Sequence, residues 1–221
     1  MAKHALIVRG GWDGHTPVES TDIFAGSLRD GGYEVTVCDT LDSFADESLM
    51  SKADLILPCW TGGELSGEQW RGVDKAVKAG AGLAGFHGGI IDAFRKETRW
   101  QFMTGGQWVA HPGNLIPAYD VDIVDADHEI TRGVPGFQLT NTEQYYCHVD
   151  PGVHVLCTTT FTGENENEAN EYPANTVMPY AWTRQWGAGR VFVAAWGHTF
   201  ADFDVPEARQ IVDNGLRWAT R

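Results

Sequence analysis

A histidine followed directly by two glycines ends a short apolar run near the middle of the chain. The run is Ala81–Phe86, and His87-Gly88-Gly89 follows it. A strand that stops at a polar residue and turns sharply on glycines has the layout of a nucleophile elbow, where φ is positive and the side chain is presented at the top of a sheet. The residue presented here is an imidazole, which titrates near neutral pH. His87 is therefore the first candidate for chemistry.

Two more histidines follow predicted strands. His15 lies in the glycine-rich loop after the apolar run Ala5–Val8, and His198 comes shortly after the run Arg190–Ala195. In open α/β sheets, ligands bind outside the carboxyl ends of the strands. We therefore expect His15, His87 and His198 at one edge of the sheet.

Loops of the second half add a carboxylate and a fourth imidazole, Glu143 and His111. Trp60 and Trp108 stand beside glycine-bearing turns, where aromatic side chains often line clefts for carbohydrates or other flat ligands. We predict that Trp60, Trp108 and His111 line such a cleft.

Three kinds of chemistry fit these residues. Histidine and glutamate can act as general acid and base. His15, His87 and His198 can instead help to hold a divalent metal ion such as zinc, although no HExxH or CxxC spacing gathers ligands locally. The third alternative is sugar binding without catalysis. No cofactor is certain from the residues alone.

The sequence lacks the signature motifs of several enzyme classes. The chain contains no GxSxG of serine hydrolases and no GxxxxGK[ST] phosphate loop. The loop at 10–14, Gly-Gly-Trp-Asp-Gly, does not match GxGxxG, so no dinucleotide fingerprint is complete.

The composition indicates which binding partners are disfavoured and which cellular compartment is expected. A formal net charge of −14 disfavours nucleic acid and anionic membrane surfaces as partners. No apolar run is long enough for a transmembrane helix, and the first residues lack the pattern of a signal peptide. The four cysteines form no CxxC pair, which favours free thiols in a reducing cytoplasm.

The order of predicted elements indicates the fold that positions these residues. Strands and helices alternate up to His87, which is typical of an α/β, doubly wound, mostly parallel sheet. Predicted capping boxes start two of the helices, at Thr16 with Glu19 and at Ser66 with Gln69. The second half is predicted to contribute extra antiparallel strands to one single domain, residues 1–221. Further elements are predicted as follows: a helix at 92–100, a turn-rich stretch at 102–108, a solvated acidic loop at 163–175, a hairpin at 178–185 and 190–195, and a closing helix at 206–219.

An ordered set of short motifs resembles the ThuA-like (trehalose utilisation) family of the class I glutamine amidotransferase-like superfamily. The motifs are Gly-His-Thr-Pro at 14–17, Gly-Ala-Gly-Leu-Ala-Gly-Phe-His-Gly-Gly at 80–89, Gly105-Gly106 with His111-Pro112, Asp-His-Glu-Ile at 127–130, Thr-Glu-Gln-Tyr at 142–145, Pro-Tyr-Ala-Trp at 179–182, Gly-Ala-Gly-Arg-Val-Phe at 187–192 and Gly197-His198. One departure is the stretch Asn141-Thr142-Glu143, where the family often has aspartate before glutamate, so Glu143 is the only carboxylate there and a paired-carboxylate mechanism is not expected.

The resemblance implies a flavodoxin-like, three-layer core with His87 where related amidotransferases carry a catalytic cysteine. Glutamine amidotransfer is therefore not expected. The resemblance also implies a carbohydrate substrate and action in concert with a sugar oxidoreductase, through keto-sugar intermediates.

We expect His87 and Glu143 to form an acid–base pair acting on a keto-sugar or glycoside, as an isomerase, lyase or hydrolase. His15 and His198 would orient the substrate or help to bind a metal. We also expect a homo-oligomer. The alternatives are a non-catalytic sugar-binding or regulatory module and a metal-dependent hydrolase.

Overall fold

The computed structural model describes residues 2–163 and 174–221, so most of the predicted acidic loop at 163–175 lies outside the described residues. The strands are β1 (His4–Gly11), β2 (Glu34–Cys38), β3 (Leu55–Thr61), β4 (Gly82–Phe86), β5 (Gly106–Ala110), β6 (Leu115–Ile123), β7 (Phe137–Glu143), β8 (Tyr146–Val149), β9 (His154–Phe161), β10 (Thr176–Trp186) and β11 (Gly189–Ala194). The α-helices are α1 (Pro17–Asp30), α2 (Glu47–Lys52), α3 (Gly67–Lys78), α4 (Gly88–Ile91), α5 (Thr98–Thr104) and α6 (Pro206–Ala219). Short 3-10 turns are formed by Asp13–His15, Leu41–Phe44 and Phe200–Asp204.

One sheet of nine strands runs through the molecule in the order β2-β1-β3-β4-β11-β10-β9-β6-β7. The first five strands pair in parallel. The remaining pairs are antiparallel, including the predicted β10–β11 hairpin. A separate two-stranded sheet pairs β5 with β8. The predicted α/β sheet with antiparallel additions in the second half is confirmed.

Helices cover both faces of the parallel half. Because β1 lies between β2 and β3, the strand order reverses there, and right-handed crossovers place α1 on one face and α2 and α3 on the other. The closing helix α6 joins α1, since the Arg217 guanidinium donates to the Ser27 carbonyl at 3.0 Å. The result is the expected three-layer, flavodoxin-like arrangement, with its switch point between β1 and β3.

The two predicted capping boxes have different outcomes. Ser66 and Gln69 form the box at the start of α3, as predicted. The box at Thr16 is wrong, because Thr16 adopts φ 45° and makes no side-chain cap. Its hydroxyl accepts a hydrogen bond from the Phe200 amide at 2.9 Å, so this side chain ties α1 to the loop after β11.

The helix predicted at 92–100 is also wrong. The chain forms α4 immediately after His87 and α5 only from Thr98. Between them, the Gly62 amide donates to the Asp92 carbonyl and the Phe94 amide donates to the Gly62 carbonyl. Tertiary pairing with the loop after β3 therefore replaces the helical hydrogen bonds. The stretch at 102–108, predicted as turns, contains the end of α5 and the start of β5.

Candidate functional site

His15 reaches the carboxyl edge of the sheet through the 3-10 turn that follows β1. Its Nδ1 lies 2.7 Å from the Thr61 hydroxyl at the end of β3, which orients the ring and turns Nε2 towards the interior. The ring packs directly on Gly88, where an added Cβ would lie 2.6 Å from the imidazole. Gly88 is therefore required for space.

His87 itself carries the strained backbone of the elbow, with φ 46° and ψ −144°. A non-glycine residue with such dihedrals costs on the order of 1–3 kcal/mol unless its surroundings hold it. Its amide donates to the Ala194 carbonyl at 2.7 Å, and its Nδ1 lies 3.1 Å from the Ala195 carbonyl. The side chain is only 1% exposed. The elbow thus fixes an imidazole with its Nε2 pointing away from β11.

His198 is held by a buried carboxylate that the sequence did not single out. Asp202 Oδ2 accepts hydrogen bonds from the His198 amide at 2.9 Å, the Gly197 amide at 3.1 Å and the Thr142 hydroxyl at 3.0 Å. Burial raises the pKa of Asp202 against these hydrogen bonds. Asp202 therefore joins the loop carrying His198 to the end of β7.

Glu143 ends β7 and is the residue on which the imidazoles converge. Its Oε2 lies 3.1 Å from His87 Nε2, 3.2 Å from His198 Nδ1 and 3.7 Å from His15 Nε2. We call His15, His87, Glu143 and His198 the histidine–glutamate cluster. Each member offers one ligand atom, and these atoms all lie within 4.8 Å of one another. Within residues 2–163 and 174–221 it is the one such group.

The strand order shows how unusual this convergence is. β7 lies five strands from β4, which in a flat sheet would be about 24 Å at the usual strand spacing. The contact between Glu143 and His87 at 3.1 Å requires the antiparallel half to curl back over the edge of the parallel half. The Thr142–Asp202 hydrogen bond fastens this closure.

Hydrogen bonds among the described residues do not satisfy every polar atom of His87 and Glu143. Burial lowers the pKa of His87 to about 3 against the opposing effect of Glu143, so the ring is neutral near pH 7. A neutral ring carries one proton, whereas Nδ1 and Nε2 each lie 3.1 Å from an acceptor oxygen, of the Ala195 carbonyl and of Glu143. One of these two contacts therefore sets a nitrogen lone pair against an oxygen. Burial would raise the pKa of Glu143, but the imidazoles of His15, His198 and His87 outweigh it and hold that pKa well below its usual range.

These features fit a bound cation. Ligand atoms around a tetrahedral zinc ion lie about 3.4 Å apart, close to the distances from Glu143 Oε2 to the three ring nitrogens. Buried His198 Nδ1 makes no hydrogen bond with any described residue. The hydroxyl on His15 and the carbonyl on His87 are the outer partners that orient metal-binding imidazoles.

A cleft of about 430 Å³ opens onto the cluster. Its lining residues are Trp12, His15, Thr61, Gly62, Gly63, Glu64, Asp92, Arg95, Lys96, Trp108, His111, Glu143 and Tyr145. His111 Nε2 lies 3.7 Å from Glu143 Oε1, and the Arg95 guanidinium stacks over Trp108 at 4.2 Å.

The structure therefore brings most of the candidate residues together. His15, His87, His198 and Glu143 form the cluster, and Trp108 and His111 lie on the cleft wall. Trp60 is not among the lining residues, and its ring packs against Gly10 and Gly63 instead. Sequence reasoning missed Tyr145, which lies two residues after Glu143. Trp12, one of the tryptophans beside glycine-rich turns, also lines the cleft and is 56% exposed.

Similar structures have the same fold. A ThuA-like protein from Bacteroides uniformis is 16% identical, with a TM-score of 0.82 over 98% of this chain and 91% of that chain. A ThuA-like protein from Parabacteroides merdae is 17% identical, with a TM-score of 0.76 over 99% of this chain and 90% of that chain. A protein from Salmonella typhimurium described as cytoplasmic is 11% identical, with a TM-score of 0.70 over 99% of this chain and all of that chain.

No curated protein sequence shows significant similarity. None of the helices in the described part of the chain is long and apolar enough to cross a membrane. The model of the ThuA family, described as trehalose utilisation, matches residues 4–219, and this chain therefore belongs to the ThuA family.

Proposed function

We propose that this protein is a carbohydrate-processing enzyme that holds a divalent metal ion, zinc or a similar ion, in the histidine–glutamate cluster. The observation that carries the proposal is the approach of His87 Nε2 to Glu143 Oε2 at 3.1 Å, in a neutral ring whose Nδ1 also faces an acceptor oxygen at 3.1 Å. Two facing lone pairs in a buried site are unfavourable unless a cation lies between them. The trehalose-utilisation family and the aromatic cleft support a sugar as substrate.

A bound divalent ion would polarise a carbonyl or hydroxyl oxygen of the sugar. The chain's own groups supply the remaining functions. His87 and Glu143 are buried and act as ligands, whereas the His111 side chain is 30% exposed in the cleft and can reach a substrate proton. His111 would move that proton at Nε2, beside Glu143 Oε1, which suits enolisation next to the carbonyl of a keto-sugar.

A metal-free acid–base pair of His87 and Glu143 is the second candidate, and their 3.1 Å contact favours it. In that mechanism Glu143 takes a proton next to a carbonyl while the imidazole polarises the oxygen. The burial of His87 counts against it, because a ring under Tyr145 has little access to a substrate in the cleft.

The cellular setting follows from the same proposal. Oxidation of a ring hydroxyl of a disaccharide to a ketone requires a sugar oxidoreductase, so we propose that the protein acts with such an enzyme. A cytoplasmic location is supported by the description of the Salmonella relative and by free thiols at all four cysteines. We also propose a homo-oligomer, which a measurement of the molecular mass of the purified protein in solution would test.

Metal analysis of the purified protein tests the proposal. We expect about one equivalent of a divalent ion in the wild type and loss of that ion in His15→Ala and His198→Ala. His154→Ala is the matched control, because His154 pairs with Asp125 away from the cluster. Turnover of trehalose and keto-disaccharides should stop in EDTA and return with added zinc. Full activity after complete metal removal would exclude the metal mechanism and favour the His87–Glu143 pair.

A further inference from the structure

Tyr145 lies between the histidine–glutamate cluster and the cleft. Its ring stacks on His87 with centroids 3.7 Å apart and 25° between the planes. The residue is only 1% exposed, yet it lines the cleft. A buried phenol thus covers one face of a proposed metal ligand.

The backbone around Tyr145 is fastened by two other buried tyrosines. The Tyr145 amide donates to the Tyr180 hydroxyl at 3.2 Å, and that hydroxyl donates to the Tyr119 hydroxyl at 2.9 Å. Tyr119 in turn donates to the carbonyl of Glu143 at 3.0 Å. The backbone from Glu143 to Tyr145 is therefore held at both ends by one continuous chain of hydrogen bonds.

The hydroxyl of Tyr145, unlike those of Tyr119 and Tyr180, has no hydrogen-bond partner among the described residues. Tyr119 and Tyr180 both use their hydroxyls within the fold, whereas none of the described residues forms a hydrogen bond with the Tyr145 hydroxyl. The Tyr145 oxygen is not one of the fully buried polar atoms without a partner in the described part of the chain, so it keeps access to the cleft, where water or a ligand can pair with it. A polar group fixed this firmly and left unpaired at a cleft is suited to a ligand.

We propose that Tyr145 contacts the substrate and that its hydroxyl donates a hydrogen bond to a sugar oxygen next to the one held at the histidine–glutamate cluster. The inference rests on the proposed function. The Tyr145 ring lies 3.7 Å from the His87 ring, and Tyr145 and Glu143 line the same cleft, so a sugar held at the cluster can offer the oxygen on a neighbouring carbon to the hydroxyl. The ligand class is therefore a vicinal diol or an α-hydroxy ketone of a sugar.

Tyr145→Phe tests the contact, since it keeps the stacked ring and removes only the hydroxyl. The probes are D-fructose, an α-hydroxy ketone, and trehalose, each titrated into zinc-loaded protein and followed by tryptophan fluorescence, because Trp12 and Trp108 line the cleft. We expect the substitution to weaken binding of fructose about 5- to 10-fold, as for loss of one hydrogen bond. Tyr146 is not among the residues that line the cleft, so Tyr146→Phe is the control and should bind fructose like the wild type.

Two further measurements separate the explanations. The zinc dissociation constant and the ligand-free melting temperature of Tyr145→Phe should match the wild type, because the hydroxyl has no partner among the described residues to lose. A lowered ligand-free melting temperature would assign the hydroxyl a structural role and overturn the proposal. Unchanged fructose binding in Tyr145→Phe would also overturn it, as would failure of both sugars to bind the wild type. If the wild type binds no zinc, the proposed function itself is refuted.

Discussion

Replacing Asp202 with alanine should weaken metal binding although it substitutes no member of the histidine–glutamate cluster. Asp202 Oδ2 accepts three hydrogen bonds, from the amides of Gly197 and His198 and from the hydroxyl of Thr142. Alanine would leave these buried donors without an acceptor, at about 1–3 kcal/mol for each donor that neither water nor movement satisfies. We expect a loss of roughly 3 kcal/mol or more in the free energy of unfolding.

The effect on zinc should be separate from the effect on stability. Without Asp202, the loop carrying His198 and the end of β7 carrying Glu143 are no longer joined. Removal of an outer partner that orients a metal ligand typically costs about 10- to 100-fold in affinity. We therefore expect the zinc dissociation constant of Asp202→Ala to rise by about that factor.

Asp202→Asn is the informative comparison. Its amide oxygen can accept the same three hydrogen bonds, and it removes a carboxylate whose pKa burial has raised. We expect its unfolding free energy to lie within about 1 kcal/mol of the wild type and its zinc affinity to fall less than about tenfold. Asp204→Ala, an exposed residue of the same 3-10 turn, should change neither quantity.

Urea unfolding in EDTA and zinc titration against a chromophoric chelator measure the two effects. Zinc affinity in Asp202→Ala within twofold of the wild type would refute the positioning argument. Equal losses in Asp202→Asn and Asp202→Ala would show that the charge of Asp202, rather than its hydrogen bonds, holds the loop.

Three further predictions follow from the geometry of the cluster. Gly88→Ala should displace His15, because an added Cβ would lie 2.6 Å from the imidazole, and zinc affinity should fall by about tenfold or more. Gly26→Ala is the control and should leave zinc affinity unchanged, because a Cβ there would have no heavy atom within 4 Å. Zinc at a hundredfold excess over its dissociation constant should add about 2.7 kcal/mol to the unfolding free energy, an increase that EDTA reverses and that His198→Ala lacks, as thermal melts can show. In EDTA, stability should fall as the pH drops from about 6.5 towards 3, because only the unfolded chain binds a proton at His87 in that window; His87→Gln should flatten this part of the urea-derived pH profile.

Sequence patterns predicted the parallel half of the site because its positions depend on local structure. His15, His87 and His198 follow parallel strands, and the carboxyl ends of parallel strands share one edge. The meeting of Glu143 with these histidines is a different case. Its residue type and its place in a predicted loop made Glu143 a candidate, whereas its contact depends on the curl of the antiparallel half, which no local periodicity encodes.

The errors in local structure have a related cause. Thr16 has the sequence of a helix cap, but its hydroxyl bonds to Phe200, 184 residues away. The segment after Asp92 has a helical pattern, but its backbone pairs with the loop at Gly62. In both places a long-range hydrogen bond near the cleft outweighs a local preference worth about 1 kcal/mol. The site is therefore where local rules fail, because its geometry is set by tertiary contacts.

The elbow at His87 shows how one backbone conformation can serve a different chemistry. The positive φ lies at His87 itself, while Gly88 and Gly89 provide space, since a Cβ at Gly89 would lie 2.8 Å from the Cys59 backbone. An elbow that presents a nucleophile needs its side chain exposed to the substrate. Here Tyr145 stacks over the imidazole and the Ala195 carbonyl lies 3.1 Å from its Nδ1, so His87 is enclosed with Nε2 facing Glu143. A strained backbone that encloses its side chain suits a rigid ligand, and it leaves contact with the substrate to Tyr145 and His111 in the cleft.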